Sequence, residues 1–162
     1  MAVADRVRAG AEFESILAGA FRKAGWRVHR GLRVADMRAD LVIDADRRKY
    51  VVELKVSSEG RRDRLIPLLS QAILQAQAFA QGSSEPVVPM VVVAAKHIPA
   101  SVAEQIKQFG LRYAPDVGVG VIDAEGLRSF SGHGLEELDA KPPRRLARDI
   151  ASRSVYQIFF LT

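Results

Sequence analysis

Two carboxylates and a lysine in one short stretch have types and spacings suited to chemistry at a hard cation. Asp40 precedes the apolar run Leu41-Val42-Ile43, and Glu53-Leu54-Lys55 follows the run Tyr50-Val51-Val52. Both runs are β-branched or aromatic-rich, and the polar segment Ala45-Asp46-Arg47-Arg48 between them reads as a turn. The stretch is therefore expected to be a β-hairpin. Side chains alternate faces along a strand, so Glu53 and Lys55 share one. A turn centred between Asp46 and Arg47 pairs residues whose numbers sum to 93, which puts Asp40 opposite Glu53. Directly opposed residues have Cβ atoms roughly 4.5–5.5 Å apart. Two carboxylates that close repel unless a cation lies between them. Oxygen ligands of this kind suit Mg²⁺ or Mn²⁺. A lysine beside the ion can orient a water and stabilise developing negative charge. The reading depends on register, because a slip of one residue sends Asp40 to the other face. The plain alternative is a solvated face carrying an Asp–Lys–Glu salt-bridge cluster.

The elements that would position these groups follow from periodicity. Phe13, Ile16, Leu17, Ala20, Phe21 and Ala24 recur at three- and four-residue spacing, which predicts a helix from about Ala11 to Ala24, with Gly25 as its C-cap. Glu12 and Glu14 lie in its first turn, where acidic residues complement the helix dipole. Glu14 follows a core position and reaches the edge of the apolar stripe. Trp26-Arg27-Val28-His29 alternates like the start of a strand, and residues 30–38 are expected to contain a loop. Asp36 competes with Asp40 for the metal role, and Asp40 is preferred because it enters the apolar run directly.

These residues resemble the PD-(D/E)XK motif of restriction-endonuclease-like nucleases. Asp40 matches the first acidic position, and Glu53-Leu54-Lys55 matches the second with its lysine. The likeness spans about residues 10–95, taking in Phe13-Glu14 on the first helix and Gln71 on the helix after the hairpin. It departs at Ala39, which stands where many members have proline. The resemblance implies an α/β fold: a mixed central β-sheet flanked by helices, with an αβββαβ core and additional αβ elements. It implies a metal-dependent nuclease acting on DNA, with Mg²⁺ or Mn²⁺ held by Asp40 and Glu53 and the Leu54 carbonyl as a further ligand. Lys55 would orient the attacking water, with Glu14 and Gln71 assisting. A non-catalytic nucleic-acid-binding or regulatory module that keeps this fold is the alternative.

Further along, the polar segment 57–64 brings Arg61, Arg62 and Arg64 close behind the hairpin, where they would meet phosphates or form a solvated basic loop. A second helix is expected from about Ile66 to Gln81, with Pro67 in its first turn and Leu65, Leu69, Ile73, Ala76 and Ala80 towards the core. Val87 to Ala95 reads as a central strand buried on both faces, with Pro89 near its beginning. Ser101 and Glu104 form a capping-box pattern for a third helix ending at Gly110. Two short strands follow, Val117 to Ile122 and Leu127 to Phe130, joined by a turn at 123–126.

Composition bounds the rest. The chain has 162 residues, enough for a full hydrophobic core. It has no cysteine, which excludes disulfides and thiolate metal sites and fits a cytoplasmic protein. No apolar run approaches the roughly 20 residues of a membrane span, and the first fifteen residues lack a signal peptide's apolar core. A net charge of +5, dominated by arginine, favours a polyanionic partner. P-loop, dinucleotide-binding and serine-nucleophile motifs are missing, and His29, His97 and His133 are dispersed. A nuclease-like domain is expected over residues 10–130. A basic linker and apolar segment would follow over 131–162, including Arg144 and Arg145 as a second basic contact. The apolar end, 155–162, would be buried, would support a homodimer, or would begin a further domain.

Overall fold

A computed structural model describes residues 11, 14, 15, 17–19, 21, 22, 25–34, 36–44, 48–123 and 126–131. Helix α1 is helical at every described position from 11 to 22. It ends as expected at Gly25, whose φ of 98° is open to glycine at little cost. Gly25 N–H donates to the Arg22 carbonyl and Trp26 N–H to the Phe21 carbonyl, both at 3.0 Å, closing a Schellman turn.

Three antiparallel strands follow: β1 (Arg27–Val34), β2 (Met37–Asp44) and β3 (Lys49–Ser57). The loop expected within 30–38 shrinks to the tight connection between Val34 and Met37. Helix α2 (Arg62–Gly82) then crosses to β4 (Val87–Ala95), which lies parallel to β3. Helix α3 (Ala100–Tyr113) leads to β5 (Gly118–Asp123), parallel to β4, and β6 (Gly126–Ser131) returns antiparallel. The sheet is mixed and six-stranded, in the order β1-β2-β3-β4-β5-β6.

Side-chain alternation gives this sheet two cores. Leu17, Ala18 and Phe21 of α1 pack with Leu41, Ile43, Tyr50, Val52, Leu54, Met90 and Val92 on one face. Leu65, Leu69, Ile73 and Ala76 of α2 pack with Val91, Val93 and Ala95 on the other, joined by Ala103 and Ile106 of α3. Strand β4 supplies even-numbered residues to one core and odd-numbered residues to the other. That explains its nearly continuous apolar sequence. Pro89 precedes Met90, where pairing with β5 begins, so its missing N–H leaves that ladder intact.

Several expected details change. Helix α2 begins at Arg62, four residues before the expected Ile66, so Pro67 lies beyond the first turn. Phe79 replaces Ala80 as its last buried apolar residue. The Ser101–Glu104 capping box does not form: Pro99 is the N-cap, and Ser101 is already helical. Gly110 does not end α3, which runs a further turn to Tyr113. Its role is contact with the sheet, since an added Cβ would lie 2.9 Å from Val119 Cγ2. Residues 132–162 lie outside the described part, and with them the expected basic contact at Arg144-Arg145 and the apolar end.

Candidate active site

The site is built on the β2–β3 pair. Its ladder joins Leu41 to Val52, Val42 to Val51, Ile43 to Tyr50 and Asp44 to Lys49, the register in which residue numbers sum to 93. The apolar alternation selects this register, since a slip would turn Leu41, Ile43 and Val52 away from α1. Asp40 is the next residue beyond the ladder. There the side chain takes over from the backbone: Leu54 N–H donates to Asp40 Oδ2 at 2.8 Å. The bond fixes Asp40 beside Glu53 and ties the two strands where their ladder stops.

Glu53 is 4 % exposed. Its Oε1 is buried without a hydrogen-bond partner among the described residues. Burial, then the charge of Asp40 and hydrogen bonding with it, push the Glu53 carboxyl up to about 8, while nearby Lys55 pulls the other way. Lys55 is partly exposed, two residues along the same strand. The parallel ladder with β4, Glu53 to Val91 and Lys55 to Val93, holds both residues against the central strand.

Glu14 joins the cluster from α1. It is 7 % exposed, and its Oε1 accepts from Arg38 Nη2 at 3.2 Å and Arg30 Nε at 3.4 Å. Arg38 also donates through Nη1 to Asp40 Oδ1 at 2.8 Å. The guanidinium thus bridges the acidic residue of α1 and that of β2. Sequence reading missed Arg38 and Arg30, because their partner lies 24 and 16 residues away, on another element. Asp36, the rival to Asp40, is exposed in the β1–β2 turn.

The structure therefore brings Glu14, Asp40 and Glu53 together, with Lys55 close enough for its charge to act on Glu53. Gln71 is exposed on α2, off the buried stripe, and no hydrogen bond joins it to these carboxylates. Arg61, Arg62 and Arg64 are exposed at the start of α2. Arg61 is held by Asp63 at 2.6 Å and Glu59 at 3.3 Å.

The donor set fits a hard divalent cation. Two carboxylates lie side by side, one with a buried oxygen that has no proton donor, and a cation would supply the missing partner. No group of three His, Cys, Asp or Glu residues with metal-site geometry occurs among the described residues. The third carboxylate nearby, Glu14, is engaged by arginines. No described helix is long and apolar enough to cross a membrane.

Residues 6–78 match the family model Mrr_cat, restriction endonuclease. The matched segment contains Glu14, Asp40, Glu53, Lys55 and Gln71. Among solved structures, the chain is similar to an XisH family protein from Nostoc punctiforme, at 17% identity over 69% of this chain and 91% of that one, with a TM-score of 0.44. It is also similar to an fdxN element excision controlling factor protein from Anabaena variabilis, at 16% identity over 69% and 90%, with a TM-score of 0.45. No curated protein matches the sequence. The αβββαβ order is that of a restriction-endonuclease-like α/β fold, and residues 6–78 within it are similar to the restriction endonuclease family model.

Proposed function

We propose that the domain is a metal-dependent nuclease that hydrolyses phosphodiester bonds in DNA. The observation that carries this reading is the orphaned, buried Oε1 of Glu53 beside Asp40, with Lys55 on the same strand. A buried carboxylate oxygen without a donor is costly to keep. A Mg²⁺ or Mn²⁺ ion held by Asp40 and Glu53 would remove that cost, and when bound it would polarise the phosphate and acidify a water. Lys55, whose charge acts on Glu53 from two residues along β3, would orient the nucleophile and neutralise charge on the phosphate. Asp40 is kept in place by Leu54 N–H, and Glu14 stands behind it from α1. Gln71 would assist by orienting a water or phosphate, Arg61, Arg62 and Arg64 would meet phosphates of the DNA strand, and a cytoplasmic location belongs to the same reading.

The test is cleavage of plasmid, linear and single-stranded DNA with Mg²⁺, Mn²⁺ or EDTA, run beside Lys55→Ala. Metal-dependent cutting by the wild type, lost in the variant while its fold is kept, is the expected result. One observation favours a second reading, that of a non-catalytic nucleic-acid-binding module. Arg38 already neutralises Asp40 and Glu14 without any metal. That module would bind DNA equally well in EDTA and with Lys55→Ala, and would cut nothing.

A further inference from the structure

We propose that Arg38 is a resident counter-cation of the acidic site, which a divalent metal must displace from Asp40 in order to bind. Both oxygens of Asp40 are engaged. Oδ2 accepts from Leu54 N–H and Oδ1 from Arg38 Nη1, each at 2.8 Å. Each oxygen keeps a lone pair for a metal, but a metal there shares its oxygen with one of these donors, and of the two only the guanidinium carries a charge that repels it. The Leu54 N–H is fixed by the β3 backbone and cannot leave without breaking the strand. The Arg38 side chain is 45 % exposed and has solvent to move into. The arginine is therefore the donor that yields.

Its position is built rather than incidental. The guanidinium forks across Glu14 Oε1 and Asp40 Oδ1, a geometry suited to its planar set of donors. Beneath it lies Gly31, with φ of 62°. A Cβ at Gly31 would lie 3.2 Å from both Nε and Nη2 of Arg38, so the missing side chain leaves the guanidinium its room. Arg30 adds a second positive charge on Glu14. Like charges disfavour one another, so a divalent ion and the bridging Arg38 cannot both sit on this cluster at full strength.

This inference rests on the metal reading above and is tested without reference to cleavage. Mn²⁺ affinity is measured by calorimetry for the wild type, Arg38→Gln and Arg38→Lys, together with Tm in EDTA. Arg38→Gln is expected to bind Mn²⁺ roughly tenfold more tightly than the wild type, a coupling of ordinary size. It should also melt lower in EDTA and recover when Mn²⁺ is added. Arg38→Lys keeps one charge without the fork and should gain less, and it decides the matter if Arg38→Gln does not fold. Equal or weaker Mn²⁺ binding in the variants overturns the displacement while leaving the metal site standing. Failure of all three proteins to bind Mn²⁺ overturns both.

Discussion

Two carboxylates are buried in this sheet, and they are treated in opposite ways. Asp123, fully buried at the end of β5, accepts from Ile98 N–H at 2.9 Å. It thereby pins the connection from β4 to α3 against the neighbouring strand. Glu53, 4 % exposed in the middle of β3, has an oxygen with no partner, a second carboxylate beside it and a carboxyl raised to about 8. The difference teaches how to separate a structural acid from a chemical one. A carboxylate that repays its burial with backbone donors holds the fold together. One left short of donors is a place where the fold bears a cost that a bound cation can remove.

The largest expected effect on this contrast is on activity. Glu53→Gln and Lys55→Ala should each lower metal-dependent DNA cleavage by about 10²–10³-fold, the size of losing one transition-state contact. Circular dichroism should show the fold kept. Asp123→Ala, at matched folded concentration, should leave cleavage almost untouched. A loss of cleavage in Asp123→Ala as deep as that in Glu53→Gln would erase the distinction.

Stability should move the other way. Asp123→Ala leaves Ile98 N–H buried without its acceptor, at a cost of about 1–3 kcal/mol in urea unfolding. Glu53→Gln should cost less, or gain, in metal-free protein at pH 8 and above.

The pH dependence sharpens this further. The folded-state pKa of Glu53 lies near 8 and its ordinary value is 4.5. Between those values the native state binds the extra proton, so its contribution to stability falls as pH rises from 4.5 to 8. In EDTA, urea midpoints for the wild type should therefore drift down across that window, while those of Glu53→Gln should stay flatter. An upward drift due to Glu53 would contradict the burial argument. Asp40→Asn removes the smaller of the two main causes. It should lower the Glu53 titration midpoint, read by carboxyl NMR, without returning it to 4.5, because burial remains.

The smallest effect is expected at Arg61, whose partners Asp63 and Glu59 are exposed. Arg61→Ala should leave Tm unchanged within error, as exposed ion pairs contribute little. It should lower the salt dependence of DNA binding by about one counterion if Arg61 meets a phosphate. An unchanged salt slope would remove Arg61 from the DNA-binding set.

By itself, the sequence determined the α/β class, α1 and its glycine cap, the buried central strand and the register that sets Asp40 beside Glu53. These depend on short-range chemistry: apolar period, turn composition and strand alternation. It also marked the acid pair and Lys55, because their spacing along paired strands is local. It misplaced the start of α2 and both ends of α3, where the Ser101 cap and the Gly110 stop are weak preferences that packing overrode. Gly110 stays helical because α3 needs close approach to Val119. Only the tertiary structure decided which charges meet. Glu14, Arg30 and Arg38 come from three elements and are joined by the way α1 lies against β1 and β2. Asp123, read locally as a turn residue, became a buried anchor because the β4–α3 connection folds over it. Gln71 was left in solvent by the helical phase that Leu65, Leu69 and Ala76 impose as they enter the core. Long-range Coulomb partners carry no periodicity along the chain, so nothing short of the assembled fold reveals them.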